Sequence, residues 1–150
     1  MLDIGDTAPD FELTDENSEL VTLDDLLAGE SLILYFYPAD FTPLCTTEAC
    51  SIRDLHDDIL DVGIKVVGIS PQNEATHRRF KNQFNIPFPL LFDKNKKVIR
   101  SFGVDGPLGF GVRRATYLIN KEKRIENRVV SDLFVGNHTQ FIKEVITNRR

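Results

Sequence analysis

The only two cysteines of the chain stand five residues apart, in Phe36-Tyr-Pro-Ala-Asp-Phe-Thr-Pro-Leu-Cys45-Thr-Thr-Glu-Ala-Cys50. Thiols become chemistry when they ionise. An ordinary cysteine with a pKa of ~8.5 is about 3% thiolate at pH 7, and a helix N-terminus or a nearby cation raises that share. The residues before Cys45 supply such a setting. An apolar run over 31–37 ends at Pro38, the chain turns through Ala39 to Thr42, Thr42 suits an N-cap and Pro43 suits the first helical position. Cys45 then falls in the first turn, facing free backbone N–H groups and the positive end of the helix dipole. Position alone also fits a small buried hydrophobe; a second cysteine in the same helix favours a nucleophile.

In an intact α-helix, residues five apart have Cα atoms about 8.6 Å apart on different faces. A disulfide wants roughly 4.4–6.8 Å. Cys45 and Cys50 therefore bond only if the helix unwinds locally, as when one cysteine is oxidised first and the other arrives later. The spacing differs from the closer Cys-x-x-Cys of dithiol oxidoreductases. A zinc site needs more ligands, and His56, His77 and His138 are scattered along the chain.

The elements around this stretch follow from patterning. Residues 31–37 and 64–70 are short, nearly continuous apolar runs, as in strands covered on both faces. Between them, Ala49, Ile52, Leu55, Ile59 and Leu60 make the apolar stripe of one helix over 46–62. A helix over 73–84, a strand over 89–93, a hairpin of strands 115–119 and 124–130, and a last helix over 137–146 complete the series. Phe11, Leu13, Leu20 and Val21 suggest an N-terminal hairpin, and Gly106 to Val112 reads as a connector. The order is that of an α/β fold with a mixed central sheet flanked by helices, in one domain over residues 1–150.

A net charge of −5 with no basic block argues against nucleic acid, and His77-Arg78-Arg79 reads as a solvated helix face. No run approaches the ~20 apolar residues of a membrane span. The opening Met-Leu-Asp-Ile-Gly-Asp lacks the regions of a signal peptide. The cytoplasm is the expected compartment, where thiols stay reduced and paired cysteines suggest catalysis or sensing.

Pro38-Ala-Asp-Phe-Thr42-Pro-Leu-Cys45 resembles the Pro-x-x-x-Thr/Ser-x-x-Cys signature of the peroxiredoxins. Thr46-Thr-Glu-Ala-Cys50 is similar to the peroxiredoxin Q or bacterioferritin-comigratory-protein subfamily, as are Gly5-Asp-x-Ala-Pro-Asp-Phe11, Val67-Gly-Ile-Ser70, Phe88-Pro-Leu-Leu91 and Arg114-Ala-Thr-Tyr-Leu-Ile-Asn120. The resemblance implies a thioredoxin-like fold and a thiol peroxidase acting on hydrogen peroxide and organic hydroperoxides, without a cofactor or metal. It implies that Cys45 is the peroxidatic cysteine and Cys50 the resolving one. By the same match Thr42 hydrogen-bonds the thiolate or the peroxide, Pro38 shields the pocket, and Arg114 stabilises thiolate and transition state. The implied reductant is thioredoxin or a similar dithiol.

Three further residues are read from their positions. Leu44 stands where that family usually has glycine, which bears on pocket width. Glu48 is placed either to hold Arg114 by a bidentate pair or to lie on the helix surface. Arg113 reads as a solvent-facing neighbour of Arg114, and Arg53 as a partner of Asp54 or Asp57.

A monomer is expected, since both cysteines lie in one chain. Two other classes remain open: a general thiol-disulfide oxidoreductase, separable by an insulin-reduction assay, and a redox-sensing binding module whose helix unwinds on oxidation.

Overall fold

The computed structural model describes residues 1–150. Seven strands form one mixed sheet: β1 Glu12–Thr14, β2 Leu20–Thr22, β3 Ser31–Phe36, β4 Ile64–Ser70, β5 Leu90–Phe92, β6 Ala115–Ile119 and β7 Ile125–Val130. Six α-helices accompany them: α1 Leu23–Leu27, α2 Pro43–Asp54, α3 His56–Asp61, α4 Glu74–Phe84, α5 Lys97–Phe102 and α6 Gly136–Arg149. The sheet order is β2-β1-β5-β4-β3-β6-β7. Strands β3, β4 and β5 run parallel, joined by helical crossovers, while β6, β7 and the β1/β2 hairpin are antiparallel. Chains that build parallel pairs need such crossovers, because a tight turn cannot return a strand to the same end.

Alternation along β3 divides the core between the two faces of the sheet. Leu32, Leu34 and Phe36 pack with Leu23, Leu26 and Leu27 of α1 and with Val98, Ile99 and Phe102 of α5. Ile33, Tyr35 and Tyr37 pack on the other face with Cys45, Ala49 and Ile52 of α2, Phe80 of α4 and Phe141 of α6. The apolar runs predicted for 31–37 and 64–70 are therefore strands buried on both sides. Gly68 lies opposite Tyr35 in the β3/β4 register. A Cβ at that glycine would stand 2.9 Å from Tyr35 Cζ, so the missing side chain is what lets the ring lie across β4.

The structure departs from the patterning in three places. The helix predicted over 46–62 is two helices, with Leu55 closing α2 and opening α3. Its apolar stripe crosses the joint, because Ala49, Ile52 and Ile59 face the same cluster with Leu55 packed against it, while Leu60, also expected in the stripe, is exposed. The helices α1 and α5 were not anticipated; each has fewer than seven residues. Local hydrogen bonds define them instead: a capping box between Thr22 and Asp25, and the Asp93 carboxylate accepting from Ile99 N–H at 2.8 Å. Finally, His77 is fully buried on α4, not part of a solvated face.

Candidate active site

The segment between β3 and α2 leaves the carboxyl end of a central parallel strand, the region where open α/β sheets bind ligands. Asp40 anchors it from below. This buried carboxylate accepts from Tyr37 Oη at 2.7 Å and lies 2.7 Å from His77 Nδ1, while His77 Nε2 reaches the Leu91 carbonyl at 3.1 Å. The next residue, Phe41, has φ of 65°, a left-handed conformation that costs a residue with a Cβ. Its ring offsets this by packing edge-on against Phe80, 5.2 Å between centroids, and by meeting Phe84.

Thr42 then takes extended backbone angles as the N-cap of α2, and Pro43 is the first helical residue, as the sequence predicts. The Thr42 hydroxyl does not cap the helix; it donates to the Ala39 carbonyl at 3.2 Å. The first backbone bond of the helix runs from Thr46 N–H to the Thr42 carbonyl at 2.9 Å. Cys45 therefore lies at the open, electropositive end of α2. It is 1% exposed, and Cys50, later in the same helix, is half-buried; both are free thiols.

Glu48 follows Cys45 by almost one turn and is completely buried, which excludes the surface reading. Its Oε1 accepts one hydrogen bond, at 3.3 Å, from Arg114 Nη1, in place of the expected bidentate pair. The rest of the guanidinium is directed elsewhere: Arg114 Nε donates to the Asp132 carbonyl at 3.1 Å. Asp132 also accepts from the Arg114 amide and, through two nitrogens, from Arg113. Arg113 is thus partly exposed but paired, and Arg53 pairs with Asp54 and the Phe84 carbonyl.

Burial pushes the Glu48 carboxyl up to about 7, against the opposing charge and hydrogen bond of Arg114. Burial also works to raise Asp132, but the hydrogen bonds from Arg113 and the Arg114 amide outweigh it and hold that carboxyl below its usual range. Tyr35, on the β3 side, is raised well above an ordinary phenol, first by burial and then by the proximity of Glu48, Asp40 and both cysteines.

A cavity of about 770 Å³ opens beside this turn, lined by Pro38, Leu44, Phe110, Val112, Arg113 and Arg114 among others. Pro38 and Leu44 both precede Cys45 in the chain, Leu44 directly, and Arg114 joins the cavity to Glu48. No group of three or more His, Cys, Asp or Glu side chains is placed to hold a metal ion.

The structure thus brings Pro38, Thr42, Cys45, Glu48 and Arg114 to one end of the sheet. Sequence reasoning missed Asp132, His138 and the Asp40–His77 pair. Asp132 was within reach of a register argument: Ala115 pairs with Val130, so the antiparallel hairpin sets residue 132 opposite Arg113. His138 Nδ1 stands 3.6 Å from Glu48 Oε2, a contact across 90 positions of chain with no local signal.

Residues 4–128 match the model of the AhpC/TSA family. The chain is 41% identical over 130 residues to peroxiredoxin Bcp of Bacillus subtilis, covering 83% of this chain and 82% of that protein. To peroxiredoxin Bcp of Escherichia coli it is 37% identical over 143 residues, 91% of this chain and 90% of the relative. The crystal structure of peroxidoxin BcpB from Mycobacterium tuberculosis superposes with a TM-score of 0.92 at 33% identity, covering 100% of this chain and 99% of the other. A Xanthomonas campestris bacterioferritin comigratory protein, described for its alkyl peroxide reduction activity, has a TM-score of 0.84 at 25% identity, covering 93% and 92%. Fold, motif order and relatives coincide along the chain: it belongs to the AhpC/TSA family, on the Bcp and peroxiredoxin Q branch of the peroxiredoxins.

Proposed function

We propose that the protein is a two-cysteine peroxidase that reduces hydrogen peroxide and organic hydroperoxides. In the first step the Cys45 thiolate attacks the terminal oxygen of ROOH, and the O–O bond breaks. Sulfur is oxidised to a sulfenic acid, and the departing RO⁻ takes a proton to leave as ROH. Negative charge moves from sulfur to the leaving oxygen, so donors fixed beforehand lower the barrier. Arg114, held by Glu48 and the Asp132 carbonyl, and the open amides at the start of α2 fill that role. Thr42 takes part by turning its hydroxyl from Ala39 to the sulfur or the peroxide. Pro38 walls the pocket.

In the second step the first turns of α2 unwind and Cys50 attacks the Cys45 sulfur, forming an intrachain disulfide and releasing water. Thioredoxin or a similar dithiol then reduces the disulfide and is itself oxidised. The cycle needs no second copy of the chain, so a monomer suffices, and it suits a reducing compartment such as the cytoplasm.

The observation that carries this reading is the burial of Cys45 at the start of the same helix that bears Cys50, with a fixed arginine beside the turn. The test is peroxide consumption coupled to thioredoxin, with Cys45→Ser as comparison. The unsubstituted protein is expected to turn over and the variant to be inert; a variant that still consumes peroxide contradicts the assignment. Rapid insulin reduction without peroxide dependence would instead favour a general oxidoreductase.

A further inference from the structure

Glu48 occupies the stretch of α2 between the two cysteines, and its surroundings are unequal. Oε1 accepts from Arg114, whereas Oε2 is buried without a hydrogen bond and faces His138 Nδ1 at 3.6 Å. His138 belongs to α6 and is itself fully buried. Its Nε2 lies 2.8 Å from the Ser131 carbonyl, which fixes a proton there, and its Nδ1 lies 2.8 Å from the Thr116 hydroxyl. Burial holds this imidazole below its ordinary range, in the neutral form, so Nδ1 accepts from the Thr116 hydroxyl and the ring sets neither a donor nor a positive charge beside the Glu48 carboxyl. Oε2 packs against His138 without a donor on that side, so an ionised carboxylate there is unsupported and the protonated form is favoured.

We propose that His138 is a positioning residue of this enzyme: it holds Glu48 in place against α6 and so sets how readily the Cys45–Cys50 segment of α2 unwinds. The proposal rests on the two-cysteine reading, in which that segment must open to form the disulfide. Glu48 has to leave its site whenever the segment opens. Once in water it titrates as an ordinary carboxyl, while in the packed helix it keeps its proton to near neutrality. Opening therefore releases a proton and is favoured as pH rises between those limits, by up to on the order of 10²-fold.

The other groups around Glu48 modulate this response. Arg114, ahead of β6, favours the carboxylate, and Asp132 behind it draws off part of that charge. Tyr35 of β3 stays a neutral phenol, with the Asp40–His77 pair behind it, and Cys45 lies on the same helix. His138, neutral and packed on Oε2, is the group that offers the carboxylate no charge and no donor and so favours the protonated, packed form.

The experiment is hydrogen exchange by mass spectrometry on the full reduced chain from pH 5 to 8, corrected for intrinsic exchange, with peptides covering α2 and α4. It compares the unsubstituted protein with His138→Asn and Glu48→Gln. Protection in α2 is expected to fall by tenfold or more (~1.4 kcal/mol) across the range in the unsubstituted protein. It should be nearly pH-independent in Glu48→Gln and already low at pH 5 in His138→Asn, with α4 unaffected. After a peroxide pulse, His138→Asn should change the rate of disulfide formation more than the rate of Cys45 oxidation.

Protection in α2 that ignores pH, or that His138→Asn leaves unaltered, overturns the proposal. If His138→Asn does not fold, His138→Gln takes its place with the same expected and contradicting results. A protein that exchanges as expected but does not react with peroxide refutes the peroxidase reading and leaves the role of His138 in helix opening standing.

Discussion

Cys45 and Cys50 share one unbroken helix, the first buried and the second half-buried, with no bond between them. Five residues of α-helix hold their Cα atoms about 8.6 Å apart, beyond disulfide reach. Any bond between them is therefore made by a different conformation of α2. Cys50→Ser is expected to consume one equivalent of peroxide and then stop, because its sulfenic acid has no partner in the chain. Stopped-flow peroxide consumption with and without thioredoxin measures this; sustained turnover with thioredoxin would remove Cys50 from the cycle.

Arg114 is fixed by a fork of donors, Nη1 to Glu48 and Nε to the Asp132 carbonyl. Lysine keeps the charge but cannot reproduce that geometry. Arg114→Lys is expected to slow Cys45 oxidation by about 10²-fold, the scale seen when one fixed donor to a developing charge is lost. A second-order rate with peroxide close to that of the unsubstituted protein would mean that only the charge matters.

Glu48 makes folding stability depend on pH. Its folded-state pKa lies above the unfolded value, so its contribution is complete below about pH 4.5 and is lost as pH rises through about 7. The loss over that window is roughly 3 kcal/mol. Urea unfolding of the reduced protein at several pH values, compared with Glu48→Gln, isolates it: the difference between the two should grow with pH. Parallel profiles would show that the buried carboxyl does not titrate in this range.

Asp40 binds the loop ahead of Cys45 to α4 through His77, with both side chains buried. Asp40→Ala leaves the Tyr37 hydroxyl and His77 Nδ1 without their carboxylate and is expected to cost about 3 kcal/mol. For a chain of this size that lowers the melting temperature by on the order of 10 °C. Thermal unfolding followed by circular dichroism reads it, and a shift of a degree or two would mean that the loop is held by Phe41 and its aromatic contacts instead.

The parts of this architecture that were legible from the sequence are those with strong local causes. Strands β3, β4 and β6 are runs of buried apolar residues, and Thr42-Pro43 marks the start of α2 whatever lies around it. The break at Leu55 was not legible, since the stripe through Ile52 and Ile59 has the same period on either side. Polar partnerships were hidden for a different reason. His77 with Asp40, and His138 with Glu48, meet only after α4 and α6 pack on the sheet, and a histidine beside two arginines looks like surface until its acceptor is known. Glu48 was singled out by its position one turn from Cys45; its complete burial came from helix packing.

The most direct test of the account is mass spectrometry of the reduced protein after one equivalent of peroxide, with peptide mapping of its thiols. The account predicts a monomeric chain about 2 Da lighter, with Cys45 linked to Cys50 in the same molecule. A stable sulfenic or sulfinic acid on Cys45 with Cys50 still free, or two unmodified thiols beside unconsumed peroxide, would contradict it.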